Sequence, residues 1–198
     1  LWIPDLFMQR VESDEEWTLF SSSDTPLLLK SFGEEFAAHY TNYEKEGKGM
    51  RQVSARALYG RMMQTLAETG NGWICFKDKA NLRSAQTAVE GNVIRSSNLC
   101  TEILEVANTE EVAVCNLGSI NVGAFVTANQ TFDFEKLTEV VDRAVVFLDR
   151  VVDINYYPIP EARNSNMRHR PIGLGVQGLA DAFILLGMPF DSDAAKQL

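Results

Sequence analysis

No apolar run in this 198-residue chain approaches the roughly 20 residues needed to cross a bilayer. The N-terminus also lacks the basic-then-apolar pattern of a secretory signal. A membrane partner is therefore not expected, and the expected location is cytoplasmic. Cysteine is scarce: Cys75, Cys100 and Cys115 are an odd number with no close pair, which suits a reducing compartment better than a disulfide framework. Basic residues are outnumbered, 18 Lys and Arg against 27 Asp and Glu, for a formal charge of -9. Neutralising phosphates requires clustered cations, so nucleic acid is not an expected partner. Histidine occurs only at His39 and His169, far apart and without Cys, Asp or Glu at metal-ligand spacing. No metal site is expected, and both read as structural or surface residues, His39 at the polar edge of its helix. Repeats, low-complexity tracts and obvious linkers are missing too. What remains is a composition 45% apolar and 23% charged, ordinary for a soluble globular protein able to bury a core as one domain.

The periodicities predict a mixed α/β chain. Ser31 to Glu46 reads as a helix with Phe32, Phe36 and Tyr40 on one face, ending in Gly47-Lys48-Gly49. Ser54 to Thr69 places Leu58, Met62, Thr65 and Leu66 on a stripe, with Gly70 at the left-handed cap position and Gly70-Asn71-Gly72 as a turn. Trp73 to Lys77 reads as a short strand, within which Cys75 would be a buried small hydrophobe. Ala80 to Gly91 reads as a loop or weak helix. Asn92 to Leu104 and Val112 to Leu117 are extended candidates joined by a turn at 108–111. Asp133 would cap the strongest helix, carrying Leu137, Val140, Val141, Ala144, Val145, Leu148 and Val152 and closed by Pro158 and Pro160. A polar connection from Glu161 to Arg170 then leads into a strand at 172–176 and a helix through Leu186. Asp191-Ser192-Asp193 would cap one more helix. Long helices alternating with short apolar strands point to an α/β architecture.

Gly173-x-Gly175-x-x-Gly178 satisfies the dinucleotide fingerprint on paper, with Asp191 beyond it. The fingerprint needs its glycines in a turn after a hydrophobic strand, and Arg168-His169-Arg170-Pro171 precedes the first one. The glycines read instead as sites of close strand-to-helix packing.

The chemistry-bearing stretch is Asn98-Leu99-Cys100-Thr101-Glu102, with Cys115 fifteen residues after Cys100. In an extended segment Asn98, Cys100 and Glu102 would share one side, while Leu99, Thr101 and Ile103 face the other. An amide, a thiol and a carboxylate together can hold a polar substrate, react through sulfur and move a proton. A strand with a solvated polar face would show the same spacing.

The segments Leu1-Trp2-Ile3-Pro4-Asp5-Leu6-Phe7-Met8, Ser97 to Ile103, Val112 to Leu117 and Arg170 to Phe183 resemble, in order and nearly end to end, the large catalytic subunit of class I ribonucleotide reductase. The resemblance implies a fragment of a ten-stranded α/β barrel, with the radical-cysteine segment threaded as a loop through its centre. Residues 1–198 would be the central part of that barrel domain, truncated at both ends, as a start at Leu1 without Met also suggests. In such enzymes the cysteine of Asn-x-Cys-x-Glu becomes a thiyl radical, here Cys100. Glu102 would accept the proton of the ribose 3′ hydroxyl, Asn98 would bind ribose hydroxyls, and the backbone of Leu99 and Thr101 would line the substrate. Cys115 matches one of the two cysteines that end each turnover as a disulfide. Its partner cysteine, the effector-specificity site, the activity domain, the phosphate-binding loop, the radical-relay tyrosines and the mobile C-terminal cysteine pair have no counterpart here. The implied substrate is a ribonucleoside diphosphate, reduced to the deoxyribonucleotide. The implied partners are a radical-generating, metal-containing small subunit, the remaining large-subunit segments and a second large subunit in a homodimer. ATP or deoxynucleotide effectors with Mg, and thioredoxin or glutaredoxin as reductant, belong to the full enzyme. This segment itself would bind no cofactor and be inactive alone. A non-catalytic assembly module and a dinucleotide-dependent oxidoreductase are the competing readings.

Overall fold

Ser54, Asp133 and Ser192 each accept a hydrogen bond from the backbone N–H three residues on, which satisfies a donor that a helix start otherwise leaves orphaned. Gly70 ends the helix begun at Ser54 in the left-handed conformation, at φ 69°. These caps are where the sequence puts them. The computed structural model describes residues 1–198, which form two compact units, Leu1–Thr109 and Glu110–Leu198.

The first unit contains, in order, β1 (Trp2–Ile3), α1 (Asp5–Ser13), β2 (Glu16–Leu19), α2 (Gly33–Lys45), β3 (Arg51–Ser54), α3 (Ala55–Thr69), β4 (Cys75–Phe76) and α4 (Lys77–Arg83). β1 pairs with β4 in parallel, and β2 with β3 antiparallel from Glu16 opposite Ser54 to Leu19 opposite Arg51. Helix α1 packs on α3. Ile3, Phe7 and Ala55 form the buried centre, covered by Met8, Val11, Trp17, Leu58, Tyr59, Met62 and Ile74. Trp17 stacks on Tyr40 at 4.3 Å, and Phe7 meets Trp17 edge-on at 5.1 Å. Arg10 lies over the Tyr40 ring and makes paired 2.7 Å bonds to Glu44. Phe36 and Tyr40 are buried as the helical spacing of α2 predicts.

The second unit contains β5 (Asn116–Asn121), a short 3-10 turn (Val122–Phe125), α5 (Phe134–Ile154), α6 (Pro160–His169), β6 (Ile172–Gln177), α7 (Leu179–Leu186) and α8 (Asp193–Gln197). β5 and β6 run parallel, in register from Asn116 opposite Ile172 to Asn121 opposite Gln177. A parallel pair needs a long crossover, which α5 and α6 provide. Helix α5 packs on both strands, with Leu148 over the bare backbone of Gly118.

Four segments depart from the sequence reading. Residues 161–170 are not a polar connection: Pro160 occupies the first turn of α6, where its missing N–H does no harm. The strand expected over 73–77 shrinks to two residues, because Lys77 already starts α4. The strand expected from Val112 begins only at Asn116. Residues 92–109 contain no strand. The α/β class is as expected. No helix is long and apolar enough to cross a membrane.

Candidate active-site loop

The stretch 92–109 is irregular yet anchored. Asn81, 2% exposed on α4, donates through Nδ2 to the carbonyls of Lys77 and Ile94, and its Oδ1 accepts from the Ile94 N–H at 2.8 Å. Ile94 is fully buried and Val93 nearly so. Farther along, the Val106 N–H donates to Gln86 Oε1 at 2.7 Å, and Arg95 donates to the Ala107 carbonyl. The two stems are thus fixed on the first unit. The ten residues between them, 96–105, project as a loop.

At its tip Asn98 closes a turn twice over. Its backbone carbonyl accepts from the Thr101 N–H at 3.3 Å, and its side-chain Oδ1 accepts from the Ile103 N–H at 3.0 Å. Thr101 takes φ 72°, a left-handed conformation unfavourable for a β-branched residue. The alternating extended strand expected here is therefore replaced by a turn. A short polar side chain such as Asn offers the backbone a local alternative to a strand ladder, and no neighbouring strand competes for it. Asn98, Cys100 and Glu102 remain exposed on one turn, and Leu99 is 87% exposed. The Ser97 hydroxyl donates to the Asn98 carbonyl and receives a 3.5 Å contact from the Cys75 thiol. Cys75 is thus half-buried against this loop rather than sealed in a core, a correction to the sequence reading.

Cys115 lies in the second unit, half-buried at the entry to β5. Its sulfur is 3.8 Å from where a Cβ on Gly173 would stand. The expected close strand-to-helix packing is not what the first two glycines of the triplet serve: a Cβ at Gly173 would strike Leu117 of the paired strand, and one at Gly175 would meet open space. Gly173 and Gly175 sit inside β6, opposite Leu117 and Ser119, and Gly178 caps α7 at φ 72°. The dinucleotide fingerprint requires a glycine turn after the strand; here the first two glycines are the strand.

His39 lies 3.4 Å from Glu35 on the exposed side of α2. His169 has a partner the sequence reading missed. Glu111, 1% exposed, accepts from Arg168 Nη1 at 2.8 Å and lies 3.3 Å from His169 Nε2. Burial disfavours the charged carboxylate, but the hydrogen bonds from His169 and Arg168 outweigh it and hold its pKa below the usual value. Glu111 sits in an expected turn, 57 residues before Arg168, and no local pattern links them. No three His, Cys, Asp or Glu side chains converge where a metal ion could sit.

An α/β chain with an anchored loop presenting a thiol, an amide and a carboxylate is a candidate enzyme segment. The whole chain, residues 1–198, matches the family described as ribonucleotide reductase, barrel domain. The chain belongs to that family. It is 53% identical to the ribonucleoside-diphosphate reductase large chain of Neurospora crassa, covering 100% of this chain and 21% of that protein. It is 50% identical to the large chain of Schizosaccharomyces pombe (100% and 24%) and 51% identical to the large subunit of Caenorhabditis elegans (100% and 25%). The chain therefore spans about a quarter of the length of these relatives.

Proposed function

We propose that residues 1–198 are the central part of the catalytic barrel of a ribonucleoside-diphosphate reductase large subunit, a cytoplasmic enzyme that makes deoxyribonucleotides for DNA synthesis. The observation that carries this is the anchored, exposed Asn98–Glu102 turn in a chain matching the barrel-domain family over its whole length. In this reading the strands join others into a ten-stranded barrel with the 96–105 loop at its centre. Two features support a larger surround: β5 and β6 have only each other as partners, and Phe147, Ile184 and Phe190 are more than 60% exposed.

The substrate is a ribonucleoside diphosphate. A separate radical-generating subunit oxidises Cys100 to a thiyl, which takes the ribose 3′ hydrogen and becomes a thiol, leaving a carbon radical. Glu102 accepts the 3′ hydroxyl proton, easing loss of the 2′ hydroxyl as water. Asn98 Oδ1 is engaged by the turn, so its Nδ2 is the group that binds a ribose hydroxyl, with the backbone of Leu99 and Thr101 alongside. Two thiols, Cys115 and a cysteine outside this chain, supply two electrons and two protons and become a disulfide. Cys100 returns its hydrogen to the 3′ carbon and is again a thiyl. Thioredoxin or glutaredoxin restores the dithiol by exchange. Effector nucleotides with Mg, the small subunit and a second large subunit engage other parts of the parent, so this chain alone is inactive.

The test is deoxynucleotide formation by the full-length parent carrying Cys100→Ser, Glu102→Gln or Cys115→Ser, with the small subunit and a dithiol supplied. Loss of turnover in all three, with substrate binding retained, is the expected result. Undiminished turnover in Cys100→Ser would refute the mechanism and leave an assembly role.

A further inference from the structure

The second unit holds an enclosed carboxylate with two basic side chains that the steps above leave unused. Glu111 is almost wholly enclosed and has one basic side chain at each carboxylate oxygen, Arg168 at Oε1 and His169 at Oε2. A carboxylate that water hardly reaches is stabilised by such partners. Arg168 and His169 close the last turn of α6. Two further bonds run beside the cluster: Asn164 Nδ2 donates to the Glu110 carbonyl at 2.9 Å, and the Val112 N–H donates to the Glu161 carbonyl at 3.2 Å. Residues 110–112 are thus strapped to α6 at three successive positions. On the other side of Cys115, the Asn116 N–H donates to the Pro171 carbonyl and β5 locks onto β6. The Cys115 sulfur rests beside Gly173 in that same strand. The segment carrying the thiol is therefore pinned at both ends to one continuous stretch, α6 into β6.

We propose that Glu111, held by Arg168 and His169, is a positioning residue that fixes the Cys115 thiol for oxidation. This rests on the reading of Cys115 as one of the redox pair. Disulfide formation demands a sulfur-to-sulfur approach of about 2.05 Å at a restricted dihedral angle, so a thiol on a slack segment reacts less often. The Glu111 side chain is the one strap on residues 110–112 that holds by charge; the Glu110 and Val112 straps beside it are single neutral hydrogen bonds. Arg168 uses one guanidinium nitrogen on one oxygen, so a lysine ammonium can replace it where a bidentate fork would not allow it. The Arg168 side chain is 56% exposed, so substitution there leaves no buried void.

The test uses the full-length parent with its radical subunit and a dithiol, comparing Glu111→Gln, Arg168→Met, Arg168→Lys and Cys115→Ser. Glu111→Gln and Arg168→Met should lower kcat by about tenfold to a hundredfold, the range for a misplaced reacting group, with KM unchanged. Arg168→Lys should restore most of the rate. From prereduced enzyme without external dithiol, product per subunit should match the parent while its rate of formation falls. A parental kcat in Glu111→Gln and Arg168→Met, or a loss matching only the unfolded fraction, overturns the proposal while Cys115→Ser remains dead. Should Glu111→Gln fail to fold, the two Arg168 variants decide on the same terms. Full turnover in Cys115→Ser would instead overturn the reading on which the proposal rests.

Discussion

Asp78 on α4 is 2% exposed and joins three helices through one carboxylate. Its Oδ2 accepts the N–H of Asp5, the first residue of α1, at 2.6 Å, and its Oδ1 accepts the N–H of Gly33, the first residue of α2, at 2.7 Å. Neither helix has a side-chain cap of its own at the preceding residue, Pro4 or Phe32. Asp78 supplies from a distance what a local Ser or Asp usually supplies. A hydrogen bond to a charged group contributes about 1.5–3 kcal/mol and a lost cap about 0.5–2 kcal/mol. Asp78→Ala, which strands two N–H groups, should therefore weaken the first unit by about 2–4 kcal/mol, or about 30- to 1000-fold in its opening equilibrium. Asp78→Asn is the informative companion. Its shape is retained, but one oxygen becomes an NH2 that faces an N–H, so it should lose nearly as much. Hydrogen exchange in the full-length parent, followed by mass over peptides spanning residues 1–13 and 31–45, reads both helix starts. Protection should fall together at the two starts in both variants. Parental protection in Asp78→Asn would mean that the side chain's volume, not its two acceptors, holds the helices, and the reasoning would be refuted.

Other perturbations follow from the same geometry. Asn81→Ala removes the partners of a fully buried Ile94 backbone; it should cost about 2–4 kcal/mol and raise protease cleavage within 96–105 of the folded parent. Lys77 is buried, with its ammonium on the Leu28 carbonyl and 4.1 Å from the Phe36 ring, and burial lowers its pKa to about 8. The folded state thus releases this proton before the unfolded chain does, so stability should rise from about pH 8 towards the ordinary lysine value of 10.5. A parallel series of urea midpoints for Lys77→Met should lack that rise, and an identical slope would contradict it. Thr101→Gly relieves a left-handed strain of about 1–2 kcal/mol and should leave stability undiminished while kcat falls, because Cys100 and Glu102 lose a fixed direction; equal kcat would show that the strained turn is not needed for turnover.

Most of what was legible in the sequence is local. The cap at Ser54 with its end at Gly70, the Asp133 cap and the strand expected at 172–176 and found at Ile172–Gln177 each express a pattern within a few residues of itself. The face of α2 that buries Phe36 and Tyr40 follows from helical spacing. What was missed depends on partners far along the chain. The polar stretch 161–170 lacks an apolar stripe, so periodicity sees no helix in it, yet α6 has Ala162, Ser165 and Asn166 buried. In the loop at 92–109 Asn98, Cys100 and Glu102 have the spacing of one strand face, but the Asn98 side chain engages the Ile103 backbone and no strand lies beside it. The candidate residues Asn98, Cys100, Glu102 and Cys115 were nameable as residue types at a spacing; the turn that exposes the first three was not.

The least conspicuous helix carries much of the consequence. The seven residues of α4 straddle the end of the strand expected at 73–77 and the start of the stretch read as a loop or weak helix, and they are too few to hold themselves helical without tertiary support. Their neighbours in space come from far along the chain: Asp78 reaches α1 and α2 across 73 and 45 residues, and Asn81 reaches Ile94 across 13. Asp78 fixes the helices that bear the aromatic cluster, and one turn farther on Asn81 fixes the stem of the loop that presents Cys100. Damage to α4 should therefore pass both to the stability of the first unit and to the placement of a thiol about twenty residues away in sequence. That explains why such a stretch is polar: its side chains serve backbone donors and acceptors belonging to other elements, and apolar residues there could bury area but could not hold either the helices or the loop.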